Sequence, residues 1–205
     1  MAFPPPFHFL SHEKNRLLSG CCCAAHRLRQ KEVPPADPVP ATTLARTLTF
    51  PTASSLSNDT TYAQTAMTST GQLDGKNLWV GFAPLVGRDV IRFMVPVAAL
   101  TPAVVGSYKL VDKQRSPGTA ASVFYNFLVA RNVSTSGSFL IDGESHATRG
   151  QLLITAYDAP RRLLSGSFEM AIDGMQNITD KYSVPNDPPL CNLKVTGTFT
   201  NLKLQ

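Results

Sequence analysis

The chain has 205 residues, 43% of them hydrophobic and only 16% charged, with a net charge of +5. Threonine, serine, valine and glycine are plentiful and long runs of Glu, Lys and Ala are missing, a balance that excludes a helical bundle and favours an all-β domain. Three of the five surplus positive charges fall in residues 1–33 and the rest are scattered, which excludes the concentrated basic face of a nucleic-acid binder.

The N-terminal stretch does not follow the basic, apolar, small-residue order of a secretory signal. Pro4, Pro5 and Pro6 interrupt the apolar run Phe3 to Leu10, and the charged stretch His12 to Arg16 follows it. Leu17-Leu18-Ser19-Gly20-Cys21 nonetheless resembles the recognition site of bacterial lipoprotein signal peptidases. In such proteins the cysteine is lipidated and becomes the new N-terminus, so Cys21 is the candidate lipidation residue. Cys21, Cys22 and Cys23 are consecutive and Cys191 stands apart. That pattern lacks both the C-x₂₋₄-C spacing of a zinc site and the scattered pairs of a disulfide framework. Cys191 reads as a free or buried thiol. Residues 30–40, QKEVPPADPVP, predict an extended proline-rich spacer. Residues 1–40 are thus expected to be a signal-like, disordered segment and tether, and residues 41–205 the folded domain.

Strand signals begin near Thr43. Leu44, Arg46, Leu48 and Phe50 alternate as an early strand, and the Thr-rich stretch Thr61 to Gly71 alternates weakly. Asn77 to Phe82 is a strong apolar run holding the only tryptophan, Trp79. Asp89 to Val97 is apolar on both faces, as expected of a central strand in a two-layer structure, and Pro96 ends its ladder. Gly106 to Val111, Ser122 to Ala130 and Gly137 to Ile141 supply three more strands, with a polar loop at 112–119. A short helix at Val97 to Leu100 is the one helical signal. Residues 173–190 read as a long turn-rich loop with room for one short strand, and Leu193 to Leu202 as the closing strand.

The chain is organised around Gly150 to Ile172, a β-hairpin whose turn is Asp158-Ala159-Pro160-Arg161-Arg162. Alternation puts Leu152, Ile154 and Ala156 on one face of its first arm, and Leu164, Gly166, Phe168, Met170 and Ile172 on one face of its second. A hydroxyl-Gly-hydroxyl-Phe pattern recurs at Ser136–Phe139, Ser165–Phe168 and Thr196–Phe199. In each, the glycine is expected to leave room for a neighbouring large side chain while the phenylalanine fills the core. Eight to ten short antiparallel strands at this spacing predict a two-sheet β-sandwich, with a β-barrel as the alternative.

Arg149 to Asp158, Leu164 to Glu169 and Val195 to Leu202 together follow "G-x-hydrophobic-x-Ile-Thr", then "Ser-Gly-Ser-Phe", then "Gly-x-Phe". The chain thereby resembles the uncharacterised β-sandwich lipoproteins of Bacteroidota-type bacteria. The resemblance covers the last third closely and implies a sandwich at the bacterial cell envelope, an outer-membrane lipoprotein facing the periplasm or the surface. It carries no catalytic residues and no cofactor.

Chemistry-bearing residues are few. Asp142, Glu144 and His146 would share one face of an extended segment, where they could bind a divalent metal or supply a base for hydrolysis; Asp142-Gly143 is equally a turn signal. Nucleophile-elbow, P-loop and dinucleotide patterns are missing. Asn58, Asn132 and Asn177 each begin a glycosylation-type triplet. Trp79 and Phe124-Tyr125-Asn126-Phe127 offer ring faces suited to a carbohydrate platform, although their strand context favours core packing. The reading that results is a non-enzymatic, envelope-tethered lipoprotein-like module with a binding or structural role. Its expected partner is an envelope protein or a carbohydrate, it is expected to be monomeric, and it meets the membrane only through a lipid anchor. The alternative is a metal-dependent hydrolase using the Asp142/Glu144/His146 loop.

Overall fold

The computed structural model describes residues 36–51, 57–111, 120–130, 136–179 and 189–205. Among them run eleven strands: β1 (Ala41–Thr49), β2 (Ser57–Tyr62), β3 (Met67–Leu73), β4 (Asn77–Pro84), β5 (Asp89–Pro96), β6 (Gly106–Lys109), β7 (Ser122–Ala130), β8 (Ser136–Asp142), β9 (Thr148–Asp158), β10 (Leu163–Gln176) and β11 (Leu190–Lys203). They form a six-stranded sheet in the order β2-β1-β11-β10-β9-β6 and a five-stranded sheet in the order β3-β4-β5-β7-β8. Every pairing of neighbouring strands is antiparallel. The sheets pack face to face without closing into a barrel, so the sandwich expected from strand spacing is the architecture found.

The organising hairpin is β9–β10, flanked by β11 and β6. Leu152, Ile154, Leu164, Phe168, Met170 and Ile172 are all buried, as the alternation requires. One expected position fails. Ser165 pairs with Ala156 but the next residue, Gly166, pairs with Ile154, so Thr155 is an extra residue on β9. Such a bulge flips the side-chain parity beyond it. Tyr157 therefore packs on the core and Ala156 is exposed.

The Gly-x-Phe pattern explains the centre of the core. β10 and β11 are antiparallel neighbours in which Gly166 faces Phe199 and Phe168 faces Gly197. A Cβ on Gly197 would lie 2.2 Å from the Phe168 ring, and one on Gly166 would lie 2.9 Å from the Phe199 ring. Each glycine thus vacates the space that the opposite strand's phenylalanine occupies. Phe168 then stacks on Phe82 of β4, with centroids 4.6 Å apart, and packs on Phe93 of β5 at 5.3 Å, joining the two sheets. The third copy does not follow: Phe139, on the edge strand β8, is 40% exposed.

Other differences have local causes. The stretch 61–71 is not one strand but the end of β2, a 3₁₀ turn (Gln64–Ala66) and the start of β3, where the chain passes from one sheet to the other. The helical signal at 97–100 is a 3₁₀ turn, Val97–Ala99. The loop expected from 173 begins later, because a bulge containing Gly174, at φ 65°, lets β10 resume pairing at Met175 and Gln176. Ahead of β1, Asp37 pairs with Lys203 at 2.7 Å on the surface.

Candidate functional site

Two clusters of polar and aromatic side chains stand out from ordinary packing. The first lies between the sheets. Leu44, Arg46 and Leu48 share the inward face of β1, and all three are buried. Arg46 meets Asp89, the first residue of β5, with Nε 2.8 Å from Oδ1; the two side chains are 5% and 0% exposed. The Nε–H is not aimed along that line, so the contact is a charge pairing more than a directed hydrogen bond. The guanidinium also donates to Thr60 Oγ1 at 2.6 Å and lies over the Phe127 ring.

Both remaining contacts of Asp89 are phenols. Tyr62 donates to Oδ2 at 2.5 Å and Tyr125 donates to Oδ1. Burial, then the hydrogen bond to Asp89 and its charge, push Tyr62 up to about 12. Burial, then the Asp89 charge, push Tyr125 well above the ordinary phenol value. Both phenols therefore stay protonated as donors. With β1 and β2 on one side and β5 and β7 on the other, the cluster clamps the two sheets together. A carboxylate bound on both oxygens and 0% exposed serves the packing of the sheets, since a base must lie within reach of substrate.

The second cluster lies on the outer face of the five-stranded sheet. Val80 and Phe82 point inward from β4, so Trp79 points outward; Ile91 and Phe93 point inward from β5, so Val90 and Arg92 point outward. On β7 the inward pair is Tyr125 and Phe127, which leaves Phe124 and Asn126 outside. The expectation of core packing thus holds for Tyr125 and Phe127 and fails for Trp79 and Phe124, which are only half-buried. Their ring centroids are 6.4 Å apart and their planes within 29° of parallel.

Two adjoining hollows share Trp79 and Arg92. One, of about 390 Å³, is lined by Trp79, Val90, Arg92, Phe124, Asn126 and Leu140. The other, of about 320 Å³, adds Thr70, Gln72 and Gln205. Gly81, opposite Arg92, leaves room for Thr70 of β3, since a Cβ there would sit 2.8 Å from Thr70 Oγ1. The outer face of the six-stranded sheet differs in kind. It has a hollow of about 380 Å³ lined by Thr43, Ser167, Thr196 and Thr198, with the ion pair Lys194–Glu169 beside it, and among the described residues it carries no such rings.

No family model, no curated protein and no solved structure matches the chain.

The remaining expected residues fall as follows. Asp142, Glu144 and His146 are not on an extended segment, because residues 143–145 form a turn. Asp142 Oδ1 accepts the backbone N–H of Glu144 at 3.0 Å and of Ser145 at 2.9 Å, which commits it to holding that turn. The period-two geometry behind the shared face is lost, and among the described residues no three His, Cys, Asp or Glu side chains gather as a metal site. Cys21 and Asn132 lie outside the described residues. Asn177 and Thr179 are buried and bonded to each other, closing that triplet to modification. Cys191 is a free, buried thiol, pushed up to about 11 by burial.

Proposed function

We propose that the chain is a non-enzymatic binding module of the bacterial cell envelope, tethered by a lipid on Cys21, that engages a carbohydrate on the outer face of its five-stranded sheet. The observation that carries this reading is the half-buried Trp79–Phe124 pair on a solvent-facing sheet. Rings in that position forgo core packing, and leaving them in water is unfavourable unless a ligand covers them. A sugar ring suits the site because it presents an apolar C–H face to stack on aromatics and a hydroxyl rim for nearby polar groups. Thr70, Gln72, Arg92 and Asn126 supply those groups around the rings. The hollows are in the size range of small-ligand sites. The Leu18–Cys21 pattern and the proline-rich stretch after it support the tether.

Retention on insoluble envelope polysaccharide tests the reading. The full chain should be retained, the Trp79→Ala and Phe124→Ala variants should be released, and Ser167→Ala on the opposite sheet should behave as the parent. Retention that ignores both ring variants would sink the proposal.

A further inference from the structure

Resting on that reading, the structure assigns a charge to the ligand: we infer that the Trp79 face binds a sugar chain bearing carboxylates, of the uronate type. The argument begins with Arg92. It sits at the middle of the sheet, paired across the ladder with Gly81 on one side and Phe124 on the other. Its guanidinium is exposed and has no carboxylate partner among the described residues, whereas Arg46, Arg149 and Arg161 each have one. The outward neighbours of Arg92 are Trp79, Val90, Met94, Phe124 and Asn126, with Thr70, Gln72 and Gln205 in the adjoining hollow; none of these side chains is acidic, and the main-chain oxygen of Gln205 accepts from Arg162 Nη2 at 2.8 Å. The one acid in its row is Asp142, beyond Phe124, and that carboxylate is held by its own turn. A cation without an acidic partner among the described residues thus lies beside the two rings.

A ring carboxylate would meet the planar fork of Arg92 through two parallel N–H···O bonds. Aromatic face, the polar side chains of Thr70 and Gln72, and the guanidinium together match the three surfaces of a uronate ring: its C–H face, its hydroxyl rim and its carboxylate. A neutral sugar would satisfy the first two and leave the cation uncompensated.

The sole tryptophan lies in the site, so its emission reports binding directly. The full chain is titrated with oligogalacturonate and with cello-oligosaccharide of equal length, at low and at moderate salt, with calorimetry for the variants. Oligogalacturonate should shift Trp79 emission and bind at least about tenfold more tightly than the neutral chain, the difference being of the size of one charge-assisted pair. Raising the salt should remove that advantage, and Arg92→Gln should weaken binding of the acidic chain at least about tenfold more than that of the neutral one. Equal affinities for the two chains, unaltered by Arg92→Gln, would overturn the acidic assignment while leaving the carbohydrate face standing. Emission indifferent to both sugars would overturn this inference, and the polysaccharide retention of the ring variants then decides separately whether the face binds at all.

Discussion

Removing Asp89 should be among the most damaging single changes in the molecule. Asp89→Ala leaves the Arg46 charge buried between the sheets, still hydrogen-bonded to Thr60 but without its counter-charge. Breaking one side of a buried pair costs about 3–5 kcal/mol, much of it the desolvation of the charge left behind. Tyr62 and Tyr125 also lose their acceptor, and each stranded donor adds about 1–3 kcal/mol where water cannot reach it. The pair term alone is a large share of the 5–15 kcal/mol typical of a domain, and at about 2–4 °C per kcal/mol it lowers Tm by roughly 6–20 °C. Urea unfolding followed by far-ultraviolet circular dichroism measures this, since Trp79 on the surface is a poor reporter of the core. Replacing the whole cluster, as Arg46→Met, Asp89→Leu, Tyr62→Phe and Tyr125→Phe together, should recover most of the loss, because no buried charge or phenol is then stranded. A single-variant cost below about 1 kcal/mol, or a fourfold variant no better than Asp89→Ala, would refute the reasoning.

Phe168→Ala should cost about 3–5 kcal/mol by opening a cavity under Phe82 and Phe93; a loss under about 1 kcal/mol in the same urea assay would contradict its central place. Gly197→Ala should be as severe, and Phe168→Ala should not rescue it, because the new methyl would also lie 2.3 Å from the Thr43 carbonyl oxygen; full rescue in the double variant would be inconsistent with that contact. Tyr62, Tyr125 and Cys191 all have raised folded values. The stability they lend is therefore complete below the unfolded values, near pH 9 for the thiol and 10 for the phenols, and is lost as pH climbs toward 11 and 12. Urea midpoints at pH 8, 10 and 11.5, with absorbance at 295 nm to follow the phenols, should fall in that order, and a flat series would rule this out. Dual acylation at Cys21 would give stable membrane anchoring: Cys21→Ser should release the protein to the soluble fraction while Cys22→Ser leaves it bound, and labelled palmitate absent from the parent protein would exclude the anchor.

Much of the fold was legible from the residues because period-two alternation is a direct image of a sheet with one buried face. The hairpin and the packing role of Gly166 and Gly197 followed from it. Alternation failed at Thr155, where a single inserted residue inverts the faces and leaves no mark in composition. It was also silent at β4 and β7, whose alternate positions are both apolar. Nothing local there says that Phe82 and Tyr125 face the other sheet while Trp79 and Phe124 face water. The clamp was half visible: Arg46 stood at an inward position between Leu44 and Leu48, and a charge at such a position requires a buried partner. That the partner is Asp89, in the other sheet, depends on packing between sheets that no short window of sequence contains. The Asp142–His146 loop misled for the opposite reason, since the spacing that aligns side chains in a strand scatters them in a turn.

The pairing of β1 with β11 also bears on when the molecule can fold. Thr43 bonds Thr198 across 155 residues of chain, hydroxyl to hydroxyl, and β1 has only the short β2 on its other side. Contacts so distant in sequence make for slow closure. At about 5–20 residues per second of synthesis, β1 waits on the order of 10–30 s before its main partner exists. Throughout that interval the six-stranded sheet is incomplete and the inward row of Leu44, Arg46 and Leu48 lacks its neighbour on one side. The five-stranded sheet needs neither β1 nor β11, but the sandwich of a chain built this way can close only when its last strand has been made.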